Sequence, residues 1–207
     1  MLRRPRRSIF RSRTEPARFT DGKVIARYTG TGFTSRYGMM VTDTIRLLLF
    51  PALMAFAASS DLFTMTISNR LSLALTAGFF LLTVVIGMDL ASFGMHIGAA
   101  ALVLVVSFGF FTRGWIGGGD AKLAAATALW FGFDHLLDYL IYASLFGGAL
   151  TLLILQFRKL PLPAPLARQQ WIQRLHDSAG GVPYGIALAA AALAVYPKTM
   201  WMPGFGI

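Results

Sequence analysis

The sequence predicts an all-α membrane protein with about six transmembrane helices. Of the 207 residues, 56% are hydrophobic and only 14% are charged, whereas a soluble globular domain carries about 25% charged residues. The mean hydropathy of +0.61 points the same way. The apolar residues also gather into long segments separated by short polar stretches, as membrane-spanning helices require.

The predicted helices correspond to six apolar segments of the chain. A span needs roughly 17–25 mostly apolar residues. The segments are residues 44–60, 71–88, 91–111, 117–133, 136–157 and 182–196. The fourth is just long enough when it is counted from Gly117. We therefore expect its helix to begin within the glycines and to carry Asp120 in its first turn.

An ionisable residue thus stands at the start of the fourth segment, within GWIGGGDAKL (114–123). Ionisable groups in a membrane helix are energetically costly and usually functional, and glycine lets another backbone approach closely. The alternative is a flexible interfacial turn in which Asp120 only caps the helix. Spacing alone leaves both interpretations open.

A second carboxylate on the same side of the membrane favours the functional interpretation. Counting crossings, Asp61 follows one segment and Asp120 follows three, so both face one side. Asp177 follows five segments and shares that side, within a loop of ordinary polar composition. The other side receives Asp89, Asp134 and Asp138. Asp61 and Asp120 are therefore the two acids expected at helix ends on a common face.

Two facing carboxylates that share one proton can hydrolyse a peptide bond without a metal ion or a covalent nucleophile. The ionised carboxylate takes a proton from water, while the protonated one polarises the scissile carbonyl and later helps to protonate the leaving amine. Close proximity disfavours the doubly ionised state and so produces this division of roles.

Three stretches together resemble the prepilin peptidases, a family of GxGD intramembrane aspartyl proteases. GGGDAKL (117–123) resembles the GxGD signature, within the longer match 114–132. DLFTMTISN (61–69) resembles the motif of the first aspartate, and VPYGIALA (182–189) resembles the start of the last helix. The size fits the small, single-module members that serve tight-adherence (Flp-type) pili. The resemblance implies the GxGD aspartyl protease fold.

The resemblance also implies a set of site residues. It assigns Asp61 and Asp120 as the catalytic pair. It assigns supporting roles to the motif glycines Gly117 and Gly119, to Lys122 in substrate orientation or charge balance, to Asn69 in fixing the first-aspartate loop, and to Pro183 and Tyr184 in shaping the last helix. Ser68 stands where the family usually has proline, and we expect this serine to loosen the loop.

The implied activity is cleavage of prepilin or pseudopilin leader peptides at the cytoplasmic face of the bacterial inner membrane. No cofactor and no metal are expected. The chain has no cysteine and nothing that resembles the extra cytosolic region of the larger, methylating members, so we expect cleavage without N-methylation. The alternative is a non-catalytic polytopic membrane protein, either a degenerate paralogue or a transporter or channel subunit. Against it, both aspartates are present and no internal repeat is visible.

The predicted organisation is a peptidase domain at 39–201, a short tail at 202–207 and a basic, disordered N-terminal segment at 1–38. That segment holds ten of the 19 Lys and Arg residues. It suits an anionic lipid surface, and no specific nucleic-acid partner is expected. The basic residues of the predicted loops place both aspartates in the cytoplasm, whereas the N-terminal segment argues for the reverse. We resolve this conflict by the hypothesis that translation starts at Met39 or Met40.

Two histidines are further candidates for site residues. His96 lies inside the third segment, where we expect a packed, hydrogen-bonded residue rather than a catalytic one. His135 and Asp138 have the i,i+3 spacing of a metal-binding pair, but with no third ligand nearby they are expected to form a solvated helix start.

Overall fold

The structure is a computed structural model that describes residues 31–202, with side chains from residue 41 onward. Seven α-helices and a final 3-10 turn follow one another, and this part of the chain contains no strand. The helices are α1 (Thr31–Thr64), α2 (Asn69–Ile86), α3 (Leu90–Thr112), α4 (Gly118–Lys159), α5 (Ala164–Ala167), α6 (Gln170–His176) and α7 (Tyr184–Val195), with the 3-10 turn at Tyr196–Lys198. The all-α prediction is confirmed.

Within the described residues, four helices are long and apolar enough to cross a membrane: α1 over its Val41–Thr64 part, α2, α3 and α4. A shorter apolar stretch covers Tyr184–Lys198. The chain is therefore a multi-pass membrane protein. Helix α4 has 42 residues, which at 1.5 Å per residue amounts to about 63 Å, roughly twice the thickness of a bilayer core. The number of crossings stays a prediction.

The excess length of α4 is explained by a break at Gly132. Its φ of 60° and ψ of −169° lie in a region that essentially only glycine adopts. We call residues 118–131 the first arm of α4 and residues 133–159 the second arm. The fourth and fifth predicted segments correspond to these two arms. The predicted loop between them is absent, because a single glycine makes the turn.

The two arms run in opposite directions along each other. The rings of Phe131 and Tyr139, on either side of the break, lie 5.3 Å apart. Further from the break, Asp120 and Ala124 of the first arm line the same small cavity as Ala143 of the second. The second arm therefore returns to the end of the bundle from which the first arm began.

Side chains from other elements bind the backbone beside this reversal. The last carbonyls of a helix lack intrahelical partners, and in an apolar setting each unsatisfied group is costly. The His96 ring bonds the Leu129 carbonyl through Nδ1 at 2.8 Å, and the indole of Trp201 donates to the Trp130 carbonyl at 2.6 Å. His96 is thus a packed, hydrogen-bonded residue, as the sequence predicted.

Large aromatic side chains fill the core around the reversal. Trp130, Phe131, Tyr139, Phe50 and Trp201 are all essentially buried. Phe50 stands 5.0 Å from the ring of Trp130, centroid to centroid. Bulky rings that interlock in this way leave little freedom for the helices to slide. The end of the bundle that contains the reversal is therefore the rigid one.

Helix α1 extends this core to the opposite end of the bundle. Its buried residues are Phe50, Met54, Ala57 and Asp61. Spacings of three and four residues place them on one face of the helix. Asp61 therefore occupies a core position by the same periodicity that buries the apolar residues before it.

The predicted domain limits are not tested by this fold. Helix α1 already begins at Thr31, upstream of the predicted boundary at residue 39. Residues 1–30 and 203–207 lie outside the described residues, so the predictions for the N-terminal segment and the C-terminal tail stay predictions.

Replacing His96 with phenylalanine is expected to lower stability. The aromatic ring keeps much of the packing but leaves the Leu129 carbonyl without its side-chain donor, which costs about 1–3 kcal/mol for a buried group. Thermal unfolding in detergent measures the effect. The neighbouring Met95→Phe variant is the control, because Met95 is 52% exposed. Equal melting temperatures for His96→Phe and wild type would contradict this account.

Candidate active site

A cavity of about 430 Å³ lies at the end of the bundle opposite the reversal. It is bounded by the end of α1, by the glycine-rich segment before α4 and by the segment before α7. Both Asp61 and Asp120 line it, and the two carboxylates are close enough to interact electrostatically. The structure therefore brings the two sequence-predicted acids together, from helices that are far apart in the chain.

Asp61 is held by the backbone of α7. The side chain is only 4% exposed, and its Oδ2 accepts a hydrogen bond of 2.7 Å from the amide of Gly185. That amide belongs to the first turn of α7, where backbone N–H groups have no partner within the helix. The Asp61 carboxylate thus provides a hydrogen-bond acceptor for an otherwise unpaired amide of α7, and this bond holds the carboxylate in place.

Gly185 is a site residue that the sequence analysis missed. A Cβ on this residue would lie 2.8 Å from Asp61 Oδ2 and 2.8 Å from the side chain of Ile67, closer than real Cβ contacts. The close approach of α7 to Asp61 therefore requires glycine here. The sequence signal was available, because a glycine directly follows Tyr184 at the start of the last helix.

Asp120 lies in the first turn of α4, as predicted, with Gly117 as the helix N-cap. The Asp120 carboxylate lies close to Gly117. A Cβ on Gly117 would lie 2.9 Å from Asp120 Oδ2. The first glycine of the motif therefore leaves room for the carboxylate to fold back over its own helix start.

The second motif glycine, Gly119, serves a different contact. A Cβ there would lie 3.1 Å from Cβ of Ile67 and 3.5 Å from the Ile67 backbone nitrogen and oxygen. The turn that follows Asp61 thus packs directly on the helix that carries Asp120. This contact joins the two aspartate-bearing segments by direct packing.

The turn between α1 and α2 is closed by hydroxyl groups. Ser60 donates to the Thr66 carbonyl at 3.0 Å, and the hydroxyls of Thr64 and Thr66 lie 2.8 Å apart. Met65, between the two threonines, lines the cavity with a φ of 52°. It is the one non-glycine residue with positive φ within residues 31–202, so tertiary contacts hold this turn against its local preference.

Ser68 adopts the backbone angle of the proline that it replaces, and the expected loosening of the loop stays a prediction. Its φ of −66° is the value that a proline ring would impose. Its side chain also accepts a hydrogen bond of 3.2 Å from the Arg70 amide and so caps α2. The serine keeps the geometry of the usual proline and replaces its rigidity with a helix cap.

Asn69 and Lys122 bind each other. Lys122 Nζ donates to Asn69 Oδ1 at 2.9 Å, across the first turns of α4 and α2. The lysine lines a separate apolar groove between α2, α3 and α4 rather than the cavity that holds the carboxylates. In this structure, the pair ties two helix starts together.

Pro183 and Tyr184 begin α7 beside the cavity. Pro183 is the N-cap residue, and Tyr184 lines the cavity. The Tyr184 hydroxyl lies 3.1 Å from that of Thr151, and its ring packs near Gly147, with 3.7 Å between a ring carbon and a Cβ built at that glycine. Tyr184 therefore connects the wall of the cavity to the second arm of α4.

The acids that were compared by counting membrane crossings, apart from Asp61 and Asp120, lie outside the cavity. Asp177 accepts from the Ala179 amide in the exposed turn after α6. Asp89 caps α3, and hydrogen bonds from the Ser92 side chain and backbone lower the pKa of its carboxyl group. Asp138 lies 3.7 Å from Lys198 at the end that contains the reversal. Within residues 31–202 no three His, Cys, Asp or Glu side chains form a metal-binding group.

Substituting Gly185 with alanine is expected to destabilise the protein, because the added methyl group meets both Asp61 and Ile67. Either α7 must shift or the Gly185–Asp61 hydrogen bond must break. Gly148→Ala is the matched control, because nothing lies within 4 Å of a Cβ built there and alanine favours a helix over glycine by about 1 kcal/mol. Thermal unfolding should show a lower midpoint for Gly185→Ala and an unchanged or higher one for Gly148→Ala. The reverse order would refute the packing argument.

Comparison with known proteins agrees with this geometry. The model of the type IV leader peptidase family matches residues 48–152, about half of the chain. The matched region contains both cavity carboxylates and ends before the residues that start α7. Comparisons with curated proteins and with solved structures gave no match. A match of this extent shows that the chain belongs to the type IV leader peptidase family.

Proposed function

We propose that this protein is a membrane-embedded aspartyl endopeptidase that removes the leader peptides of type IV, Flp-like prepilins or pseudopilins. The observation that supports this most is the pair of carboxylates, Asp61 and Asp120, which line one cavity at the ends of separate helices. Family membership supports the peptidase activity. The aspartic mechanism and the substrate are our inference.

Asp61 and Asp120 would divide the chemistry between them. Two carboxylates at close range share one proton more easily than both ionise. The ionised member takes a proton from a water molecule, which attacks the scissile carbonyl carbon. The protonated member donates to the carbonyl oxygen and subsequently helps to protonate the leaving amine. Because the two titrate as a pair, neither is assigned a fixed role.

The cavity suits an extended polypeptide chain. Its walls combine glycine backbone at Gly114 and Gly181 with apolar side chains of Met65, Trp115 and Val182. Glycine walls leave room for a substrate backbone to approach, and the apolar side chains can contact the hydrophobic part of a substrate that leaves the membrane. Hydrolysis requires a strand-like rather than helical substrate at this point, because helical hydrogen bonds shield the scissile carbonyl.

We further propose that the protein cleaves without methylating the new N-terminus. The chain of 207 residues has no cysteine and no segment that resembles the additional cytosolic region of the methylating members of the family. The cavity that holds Asp61 and Asp120 would supply the groups for hydrolysis alone, and the same product analysis tests both parts of the proposal.

Asp61→Asn and Asp120→Asn are each expected to abolish leader cleavage while the protein still inserts and folds. Asparagine keeps the shape of the side chain but can neither take a proton from water nor complete the shared-proton pair. Each variant is co-expressed with the prepilins from the same source, and mass spectrometry of the pilin reads both leader removal and any methyl group at the new N-terminus.

Asp177→Asn is the matched control for these variants, since it makes the same substitution on the same expected side of the membrane. Its cleavage rate should stay within about twofold of wild type, as expected for an exposed residue that makes no contact with the reacting groups. Near-normal cleavage by either dyad variant would refute the dyad, and a dead Asp177 variant would show that the wrong acid was chosen.

We also propose that the cavity faces the cytoplasm from the bacterial inner membrane. Of the nine Lys and Arg residues between residues 41 and 202, all but Arg46 and Lys198 belong to segments at the cavity end of the bundle. Basic residues accumulate in cytoplasmic loops. The two exceptions lie near acids at the opposite end, Arg46 3.9 Å from Asp43 and Lys198 3.7 Å from Asp138.

A reporter that is active only in the cytoplasm tests this orientation. Fused after Arg168, in the connection between α4 and α7, it is expected to be active. Fused after Gly87, between α2 and α3, it is expected to be silent, because that turn lies at the opposite end. The opposite pattern would place the cavity outside the cytoplasm and remove prepilin leaders from its reach.

A further inference from the structure

We propose that Arg158 is a positioning residue that sets the geometry of the Asp61 carboxylate through the connection between α6 and α7. Arg158 does not line the cavity, and no motif match pointed to it. The inference rests on the proposed function for its kinetic consequence, but its structural consequence can be measured independently.

The Arg158 side chain binds three backbone carbonyls at the end of α6 and in the connection that follows it. Its Nε donates to Leu175 O, in the last turn of α6, at 2.8 Å. Its Nη2 donates to Gly180 O at 3.0 Å and to Gly181 O at 2.8 Å, in the connection. One guanidinium therefore joins the end of α6, the connection and the end of α4.

The turn is packed tightly around this side chain. A Cβ built at Gly180 would lie 2.9 Å from the Arg174 carbonyl oxygen and 3.1 Å from the Asp177 carbonyl oxygen. Gly180 therefore has no room for a side chain, and the three hydrogen bonds couple the position of the turn to that of the guanidinium.

The binding mode requires arginine rather than a positive charge alone. The guanidinium is a planar fork with five N–H donors, whereas lysine offers a compact ammonium on a flexible stem. Within residues 41–202 the ion pairs are Arg46–Asp43 and Lys198–Asp138, so Arg158 is held by carbonyls and not by a carboxylate. Arg158 therefore acts by holding backbone carbonyls in place and not by neutralising a negative charge.

A short and stiff path leads from these carbonyls to Asp61. Gly181 and the next residue, Val182, line the cavity that holds both carboxylates. The amide of Tyr184 donates to Val182 O at 2.9 Å, and the proline ring of Pro183 fixes φ near −74°. The following residue, Gly185, donates to Asp61 Oδ2 at 2.7 Å.

The tolerance at the end of this path is small. Gly185 already lies so close to Asp61 and Ile67 that an added Cβ would approach each to 2.8 Å. A shift of the connection by about 1 Å would lengthen the 2.7 Å Gly185–Asp61 bond beyond the hydrogen-bonding range in one direction and would produce a clash in the other. Misplacement of a catalytic group by about 1 Å can cost about 100-fold in rate.

The test compares Arg158→Gln and Arg158→Lys with a matched control, Lys159→Gln. Lys159 is the adjacent basic residue, exposed at the end of the same helix. Two readouts are measured on the full chain in detergent. The first is kcat and KM for prepilin leader cleavage. The second is hydrogen exchange of the backbone amides in a peptide that covers residues 182–188.

Arg158→Gln is expected to lower kcat about 10- to 100-fold with KM changed less than threefold, and to speed exchange in residues 182–188. A side chain that served only to stabilise the fold would lower the amount of active enzyme and leave the kcat of the folded fraction unchanged. Arg158→Lys should give intermediate values, because an ammonium cannot hold three carbonyls in the same geometry. Lys159→Gln should match wild type in both readouts.

Several results would overturn the proposal. These are wild-type kcat and exchange in Arg158→Gln, complete recovery in Arg158→Lys, or loss of folding in both Arg158 variants, which would assign the residue to general stability. If Arg158→Gln alone fails to fold, Arg158→Lys decides by the same two readouts. If wild-type protein cleaves no prepilin, the proposed function fails, whereas hydrogen exchange still decides the role of Arg158.

Discussion

A helix that turns back inside an apolar bundle must provide partners for the backbone groups at the turn, and the rest of this fold depends on how α4 does so. Gly132 reverses the chain, and His96 and Trp201 bind the carbonyls of Leu129 and Trp130 just before it. In water such carbonyls would be solvated, but Leu129 and Trp130 are buried by protein, where an unpaired carbonyl is costly. Because the turn takes a single residue, the second arm returns directly along the first. Its end places Arg158 next to the connection between α6 and α7.

The two ends of the bundle differ in residue type: one is packed with large aromatic side chains and the other is rich in glycine. Interlocking aromatic rings around Phe50 and Trp130 fill the end with the reversal. At the other end, Gly117, Gly119 and Gly185 let backbone segments and carboxylates approach to distances that a Cβ would prevent. The large rings hold the helices in fixed positions, and the glycines let backbone and carboxylate atoms approach each other closely. A site built from helix starts needs both, since the glycines provide the space and the aromatic core keeps it at a constant size.

Much of this organisation was predictable from the sequence because it depends on local pattern. Hydropathy gave the apolar segments, and the shortness of the fourth placed Asp120 in a first helical turn, as observed. The backbone angle at Ser68 was not predictable from residue preference, because a serine can adopt many φ values besides the −66° that a proline would impose. The sequence also predicted a loop near Gly132 where the structure has none. Sequence does not show whether a glycine adopts a conformation open only to glycine or a helical one.

The contacts that sequence could not provide are those between distant residues. Nothing in the pattern indicates that Lys122 binds Asn69 instead of a carboxylate, because both partners are common polar residues at helix starts. The same holds for Gly185, whose amide is 124 positions from Asp61 in the chain. Such bonds depend on how helices pack, and a single sequence carries no record of which pairs lie together.

The first arm of α4 also behaves as a lever. It is about 20 Å long, and its far end is fastened where Trp130 receives the indole of Trp201 and donates its own indole N–H to Leu75. Asp120 sits at the other end. A rod of this length that pivots at its fixed end carries its free end about 1 Å for every 3° of tilt. The distance between the two carboxylates is therefore set by the angle at which the aromatic core holds this arm.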